Sequence, residues 1–128
     1  MIIYNKEPIL VLWDIVKDLR LSIPIYKEVM HEEENDIPDS YILLRSQISD
    51  TNKVFGDGSS KIRSADCDII LISKGYADDT TDLHNINKST IRQHLKNKEI
   101  NFVETNLGYN DTIQSTEHNF SLEIDYIG

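Results

Sequence analysis

The sequence predicts an α+β fold: a single domain over residues 1–128, built from a mostly antiparallel sheet of about five strands with two helices packed on one face. Three observations predict it. Residues 116–127 alternate apolar and polar side chains, which is typical of a strand with one buried face. Two other segments carry apolar residues at three- and four-residue steps, as amphipathic helices do. The connections between the strand-like runs are short enough for hairpins, which favours antiparallel neighbours.

The first half of the chain predicts a helix followed by two strands. Apolar residues at helical spacing run from Pro8 to Leu19, with Asn5 as a plausible cap and Pro24 as the stop. Residues 23–29 then alternate as a short strand. After a polar connection, residues 40–49 form a longer and more apolar run, which predicts a more buried strand.

A hairpin and a second helix are expected next. Residues 50–60 are rich in turn formers and predict a long hairpin connection. Its return strand, residues 62–73, ends before Gly75. Residues 79–97 predict the second helix from apolar and amide side chains at four-residue steps, with caps at its start. The stepped residues are Leu83, Asn87, Ile91 and Leu95, and the caps are Thr80, Thr81 and Asp82.

Two strands complete the prediction. Residues 100–104 form the first, Gly108 and Asn110-Asp111 form a loop, and the alternating segment closes the sheet. The expected order is therefore α-β-β-β-α-β-β.

Composition restricts the classes of function. The net charge is -9, and no Lys or Arg occurs from Glu99 onward, which argues against direct binding of phosphate backbones. The single cysteine, Cys67, excludes an intramolecular disulfide, and no apolar stretch approaches the ~20 residues that cross a bilayer. No signal peptide is expected, and a reducing compartment is the natural setting. No membrane contact, cofactor or metal is expected.

Several histidines and acids nevertheless raise the question of a metal site. His31 precedes Glu32–Glu34, but this run lies in a polar connection and lacks the spacing of zinc ligands. A second group could form an oxygen-rich cation site but is better explained as the acidic start of a helix: Asp78, Asp79, Asp82 and His84. The segment 56–61 lacks the ending and the helix of a phosphate-binding loop. Each of these patterns favours an ordinary structural role.

One alternative of a different class stays open, a small metal-dependent hydrolase. Asp66 and Asp68 lie on one side of a predicted strand, and paired acids so placed can hold a divalent ion. With His84 or His118 they would supply the ligands of such a site. The apolar neighbours of Cys67, His94 and His118 instead indicate a buried thiol and structural histidines.

The order and spacing of short motifs resemble the tail terminator or tail-completion (head-to-tail joining) proteins of bacteriophages. The resemblance covers most of the chain and begins with the opening helix. Its further motifs are Ser22-Ile23-Pro24-Ile25-Tyr26, Pro38–Leu44, Asp66–Gly75, Ile91-Arg92 to Leu95, Phe102, Tyr109-Asn110-Asp111-Thr112 and His118–Gly128.

This resemblance implies a structural virion protein and not an enzyme. Such proteins form rings, commonly hexamers, that cap the tail tube and meet the head connector, while DNA passes through without specific binding. It implies the tail or neck of a virion as the location, after synthesis in the host cytoplasm. Another neck or head-completion protein and a tail-tube subunit are alternatives, and a regulatory binding domain of a bacterial host is a further class.

Two groups of residues are predicted to serve such a ring. The long hairpin connection, residues 50–63, is expected to contact a neighbouring subunit or the tube through Lys53, Val54, Phe55 and Lys61. Acids of the last third are expected to face the DNA channel and repel the duplex: Glu104, Asp111, Glu117, Glu123 and Asp125.

Overall fold

The computed structural model describes residues 3–28, 37–55, 60–75 and 77–127, with side chains throughout except at 48–55, 60, 61 and 77–82. This part of the chain forms two helices and six strands. In chain order they are β1 (Ile3–Tyr4), α1 (Pro8–Lys17), β2 (Ile25–Lys27), β3 (Ser40–Phe55), β4 (Ser60–Lys74), α2 (Ala77–Asn97), β5 (Phe102–Asn110) and β6 (Ser115–Ile127). Two helices with a predominantly sheet fold agree with the α+β prediction, whereas the observed order differs from the expected one by the additional strand β1.

The sheet is mixed, so the expectation of a mostly antiparallel five-stranded sheet is wrong in detail. The strand order is β1-β6-β4-β3-β2, and β5 pairs with β6 beside this path. The three long pairings, β3 with β4, β4 with β6 and β5 with β6, are antiparallel. The two short edge strands are parallel to their neighbours, β1 to β6 and β2 to β3, and α1 connects them across the sheet.

Both helices pack on the same face of the sheet, as the sequence predicts. The cluster between them takes Leu12 and Val16 from α1 and Ile91 and Leu95 from α2, all at most 1% exposed. The sheet contributes alternate residues of its three central strands: Ile42, Leu44, Ala65, Cys67, Ile69, Leu71, Phe120, Leu122, Ile124 and Tyr126. The period of two in the sequence therefore corresponds to this buried face.

The opposite face carries a smaller apolar cluster beside its polar residues. Tyr41, Leu43, Ile70 and Ile72 are buried there, and the ring of Tyr26 meets that of Tyr41 edge-on at 5.8 Å between centroids. This face also displays the odd-numbered residues of β6.

The ends of α1 differ from the prediction. Glu7, not Asn5, precedes the first turn, and its side chain makes no capping hydrogen bond. Pro8 accounts for this start, because proline fits the first turn, where its missing N–H leaves no donor unpaired. The helix ends at Lys17, well before Pro24, and Arg20 then adopts a positive φ of 53°. Trp13 lies on this helix between two lysine ammonium groups, with Lys17 at 5.1 Å and Lys27 of β2 at 4.8 Å from the ring centroid.

The second helix begins earlier than predicted, and at one of the four predicted inward positions His84 takes the place of Leu83. It starts at Ala77, so Thr80–Asp82 lie within it and do not cap it. Leu83 is 54% exposed, whereas His84 and Asn87 are 3% and 4% exposed. The inward positions are thus 84, 87, 91 and 95, which is as helical a spacing as the predicted one.

The two long antiparallel strands continue through much of the predicted hairpin connection. Residues 50–55 belong to β3 and pair as far as Phe55 with Ser60, with a register irregularity between Ile48 and Asn52. Such a bulge lets pairing continue across residues of low strand preference. Residues 56–59 lie outside the described chain. Gly108 and Asn110, expected in a loop, belong to β5, where Gly108 has φ of 74° beside a second register shift.

Candidate functional site

The sheet has two long strand edges on opposite sides of the described structure. β2 pairs with β3 only from Ile42 to Leu44, so β3 continues to Phe55 without a described neighbour on that edge. On the other side, β5 pairs with β6 alone. Its Val103 and Leu107 are 67% and 51% exposed. Unpaired backbone donors and acceptors beside exposed apolar side chains are the chemistry that strand addition uses.

The predicted hairpin contact residues lie in a segment that we call the hairpin arm, residues 50–55 and 60–63. Its backbone is paired, with Lys53 opposite Ile62 and Val54 opposite Lys61. The pairing continues past the register pair of Ile62 with Ile127, where β6 ends. The side chains of Lys53, Val54, Phe55 and Lys61 lie outside the described part of the chain.

The predicted channel acids do not share one surface. Glu104 lies opposite Phe120 in the β5–β6 register, on the face that the helices cover. Glu117, Glu123 and Asp125 alternate with the buried residues of β6 and therefore lie on the other face. Asp111 is exposed in the turn between β5 and β6. Glu117 accepts a hydrogen bond from Asn110 Nδ2 at 3.0 Å, and Asp125 accepts one from Ser64 Oγ at 2.6 Å.

Glu104 is the centre of a charge network beneath α2. Arg92 donates to both carboxylate oxygens, from Nε at 2.7 Å and from its terminal nitrogen at 2.8 Å. His118 Nε2 donates to the same carboxylate at 2.9 Å. The Arg92 hydrogen bonds, aided by His118, lower the pKa of Glu104 from 4.5 to about 2. Since both oxygens are engaged and the side chain is 24% exposed, Glu104 is a structural carboxylate.

Burial disfavours the charged form of the two histidines in this region. Burial lowers the pKa of His118, against the opposing effect of Glu104. Burial also lowers the pKa of His84 from 6.5 to about 4, with Lys88 and His118 adding repulsion. His84 Nδ1 lies 2.6 Å from Ser73 Oγ, and both side chains are buried. Within the described residues, His118 Nδ1 and Asn87 Nδ2 are buried without a hydrogen-bond partner.

The structure does not bring together the residues of the hydrolase alternative. Asp66 and Asp68 occupy the sheet face opposite the helices, whereas His84 and His118 lie beneath α2 on the other face. Asp68 instead accepts hydrogen bonds from Asn119 and Ser121, each at 3.0 Å. Among the described residues, no group of three His, Cys, Asp or Glu side chains could hold a metal ion. The described structure therefore places these four residues on two separate faces of the sheet.

Two further residues considered as site candidates, Cys67 and His94, have structural roles. Cys67 is 1% exposed, and burial raises the pKa of its thiol to about 12, as expected for a buried cysteine. His94 Nε2 lies 3.0 Å from the carbonyl oxygen of Ile15 and so joins α2 to α1. His31 and Glu32–Glu34 lie outside the described residues, as do the side chains of Asp78, Asp79 and Asp82.

Sequence reasoning missed the Arg92–Glu104–His118 network. Its only local signal is His118 at the first inward position of an apolar strand, since a buried imidazole needs a polar partner. The partners come from a helix and another strand, 26 and 14 residues away in sequence (118 − 92 and 118 − 104), where no spacing rule reaches.

Comparisons with known proteins leave this geometry as the basis for any functional argument. No protein-family model matches the chain, and no curated protein matches its sequence. In the part of the chain that is described, no helix has the length and apolarity needed to span a membrane.

Proposed function

We propose that the protein is a structural subunit that assembles head-to-tail into a ring, as the tail terminators of bacteriophages do. In this proposal the ring is a hexamer, as the resemblance implies, and it caps the tail tube and joins it to the head connector. It acts through protein contacts, without catalysis or a cofactor, and DNA passes through its channel. The observation that carries the proposal is the pair of sheet edges, β3 on one side and β5 on the other.

Two different edges on opposite sides favour a ring over a twofold dimer. A contact between unlike surfaces is heterologous, and repetition of it closes into a ring when the rotation per subunit divides a full turn. The exposed Val103 and Leu107 of β5 add apolar area to such a contact. The order of motifs along the chain supplies the specific assignment to the joint between tail and head.

A lining role in the channel is proposed for Asp111 and Glu117 alone. Both lie at the same end of β6, on or beside the face away from the helices. Glu104 is left out because its charge is paired with Arg92 beneath α2 and His118 donates a further hydrogen bond to it. A density map of the assembled particle tests this assignment, and Asp111 and Glu117 outside the lumen would refute it.

The ring itself is tested by light scattering on the purified protein, followed by electron microscopy. We expect an oligomer with a central hole. Deleting residues 52–60 shortens the hairpin arm and should leave a folded monomer by circular dichroism that no longer assembles. A protein that stays monomeric at high concentration and is absent from virions would contradict the proposal. A ring located in the tube or elsewhere in the neck would support the neighbouring roles instead.

A further inference from the structure

The two halves of α2 are attached to the sheet by different kinds of contact. In the second half, residues 91–97, Ile91 and Leu95 are each 1% exposed and belong to the larger core cluster. Arg92 adds its two hydrogen bonds to Glu104 of β5. This half is therefore held by buried apolar surface and by a charge pair.

The first half of α2, residues 77–88, makes mainly polar contacts with the sheet. Its side chains are described from Leu83 onward, and none of these belongs to either core cluster. The buried ones are His84 and Asn87, whereas Leu83 and Ile86 are 54% and 57% exposed. Among the described residues, Asn87 Nδ2 is buried without a hydrogen-bond partner, which costs stability. Because most of the stability of a helix in a protein comes from packing its apolar face, this half is held weakly.

Ser89 and Thr90 separate the two halves and weaken the helix between them. Both residue types have a lower helix propensity than alanine or leucine. Thr90 Oγ1 donates a hydrogen bond to the carbonyl oxygen of Ile86 at 2.8 Å, and a bond of this kind often bends a helix. The first half can therefore leave the sheet without unwinding the second.

His84 joins the first half to the sheet, and its surroundings favour the neutral imidazole. Ser73 Oγ of β4 lies 2.6 Å from His84 Nδ1. Burial lowers the pKa of His84 from 6.5 to about 4, and the charges of Lys88 on the same helix and His118 on β6 act in the same direction.

The described acids on the elements around His84 lie in solvent or have other partners. Asp39 lines the pocket beside His84, but it is 86% exposed and its carboxylate lies 3.9 Å from Lys74 Nζ. Water screens such an exposed charge. On β5, the carboxylate of Glu104 is engaged by Arg92 and His118. The acidic side chains of the preceding turns lie outside the described part of the chain: Asp78, Asp79 and Asp82.

We propose that the first half of α2 is an acid-sensitive cover, which protonation of His84 releases from the sheet while the second half stays packed. A buried imidazolium beside Lys88 and His118 lacks the solvation that it has in the released state. Release makes the inner face of β4 and β6 accessible at Ser73, Thr116 and His118, which are buried in the packed state. This inference does not depend on the proposed ring.

The pH dependence of the release follows from the two pKa values of His84. In the released state the imidazole has its ordinary pKa of 6.5, whereas in the packed helix its pKa is about 4. The released state therefore binds more protons as the pH falls below 6.5. The equilibrium constant for release should rise about 30-fold between pH 7.5 and pH 5.

Amide hydrogen exchange on the wild-type chain, followed by NMR at these two pH values with small additions of urea, tests the inference. At pH 5 the amides of residues 83–88 should be about tenfold or more less protected than those of residues 91–97, and their exchange should depend less on urea. Equal protection and equal urea dependence in the two halves would show one cooperative unit and overturn the inference. A release constant that does not change with pH would also overturn it.

Two histidine variants assign the pH dependence. In His84→Gln the release constants of residues 83–88 at the two pH values should agree within about threefold, because the titrating group is gone. The matched control is His94→Gln in the second half of the same helix, which should keep the full pH dependence. A 30-fold change that persists in His84→Gln, or that disappears in His94→Gln, would overturn the role of His84. Since the wild-type exchange profile alone can contradict the inference, the test does not require either variant to fold.

Discussion

Glu104 is the residue whose surroundings make the sharpest prediction about stability. Hydrogen bonds to a charged group contribute about 1.5–3 kcal/mol each when they are well formed. We therefore expect Glu104→Gln to lower the free energy of unfolding at pH 7 by about 1–3 kcal/mol, since the amide can replace only part of the pairing with Arg92 and His118. Asp111→Asn, in an exposed turn, should change it by less than about 0.5 kcal/mol.

The pH dependence of the Glu104 effect follows from its lowered pKa. The native state holds the carboxylate ionised below the ordinary pKa of 4.5, so its contribution is complete above that value and is lost as the pH falls towards about 2. Urea unfolding of wild type and Glu104→Gln should therefore converge between these two pH values. Curves that stay parallel down to pH 2 would mean that the pairing does not stabilise the fold.

The lowered pKa of His84 predicts that the free energy of unfolding also depends on pH, in a range above that of Glu104. The unfolded chain takes up a proton on this imidazole as the pH falls below about 6.5, whereas the native state resists until about 4, the lowered pKa of the buried ring. Stability should thus decline between these values, and the decline should be smaller in His84→Gln. Ser73→Ala removes the hydrogen bond but keeps the imidazole, so it should lower stability and preserve the slope. An unchanged slope in His84→Gln would assign the decline to other groups.

At the scale of elements, α2 offers a matched pair of leucines. Leu95 is 1% exposed and belongs to the core, whereas Leu83 is 54% exposed. Leu95→Ala should cost about 2–5 kcal/mol because it removes buried methyl groups and leaves a cavity, and Leu83→Ala should cost less than about 0.5 kcal/mol. Thermal and urea unfolding measure both. Similar costs for the two variants would indicate that Leu83 is buried, as the sequence predicts.

Hydrophobic periodicity predicts the elements that bury a continuous apolar face. It fails where the orientation or pairing of an element depends on residues that are distant in the sequence. The alternation in β6 and the stepped residues of α1 are sufficient to predict these two elements. The burial of their apolar side chains in the core outweighs the other local preferences there. In α2 the inward His84 depends on Ser73, a partner in another element. β1 has two residues, too few to show a period, and the parallel pairings depend on contacts between distant segments.

The hairpin arm forms paired strands although its amino-acid composition favours turns. Turn formers dominate residues 50–60, yet two long strands continue into this segment because each paired residue supports the next. The bulge between Ile48 and Asn52 accommodates the shift in register between β3 and β4. The gap between β5 and β1 along β6 could not be foreseen for a related reason, since these two strands reach the same edge of β6 from distant parts of the sequence.

At the scale of the whole molecule, the net charge predicts that the protein does not bind duplex DNA. The net charge is -9, and the segment from Glu99 onward has no Lys or Arg that could displace counterions from a duplex. We expect no binding of duplex DNA by fluorescence anisotropy at physiological ionic strength. Binding that weakens steeply with added salt would reveal a phosphate-contacting surface and contradict this expectation.

Trp13 provides an intrinsic optical probe of one corner of the fold. It is the single tryptophan of the sequence, and it lies between Lys17 of its own helix and Lys27 of the three-residue strand β2. Detachment of β2 would remove one ammonium group from the indole and admit solvent, which changes the emission spectrum. Fluorescence during denaturation therefore reports the release of this edge, and comparison with far-ultraviolet ellipticity reveals whether the edge separates before the sheet melts.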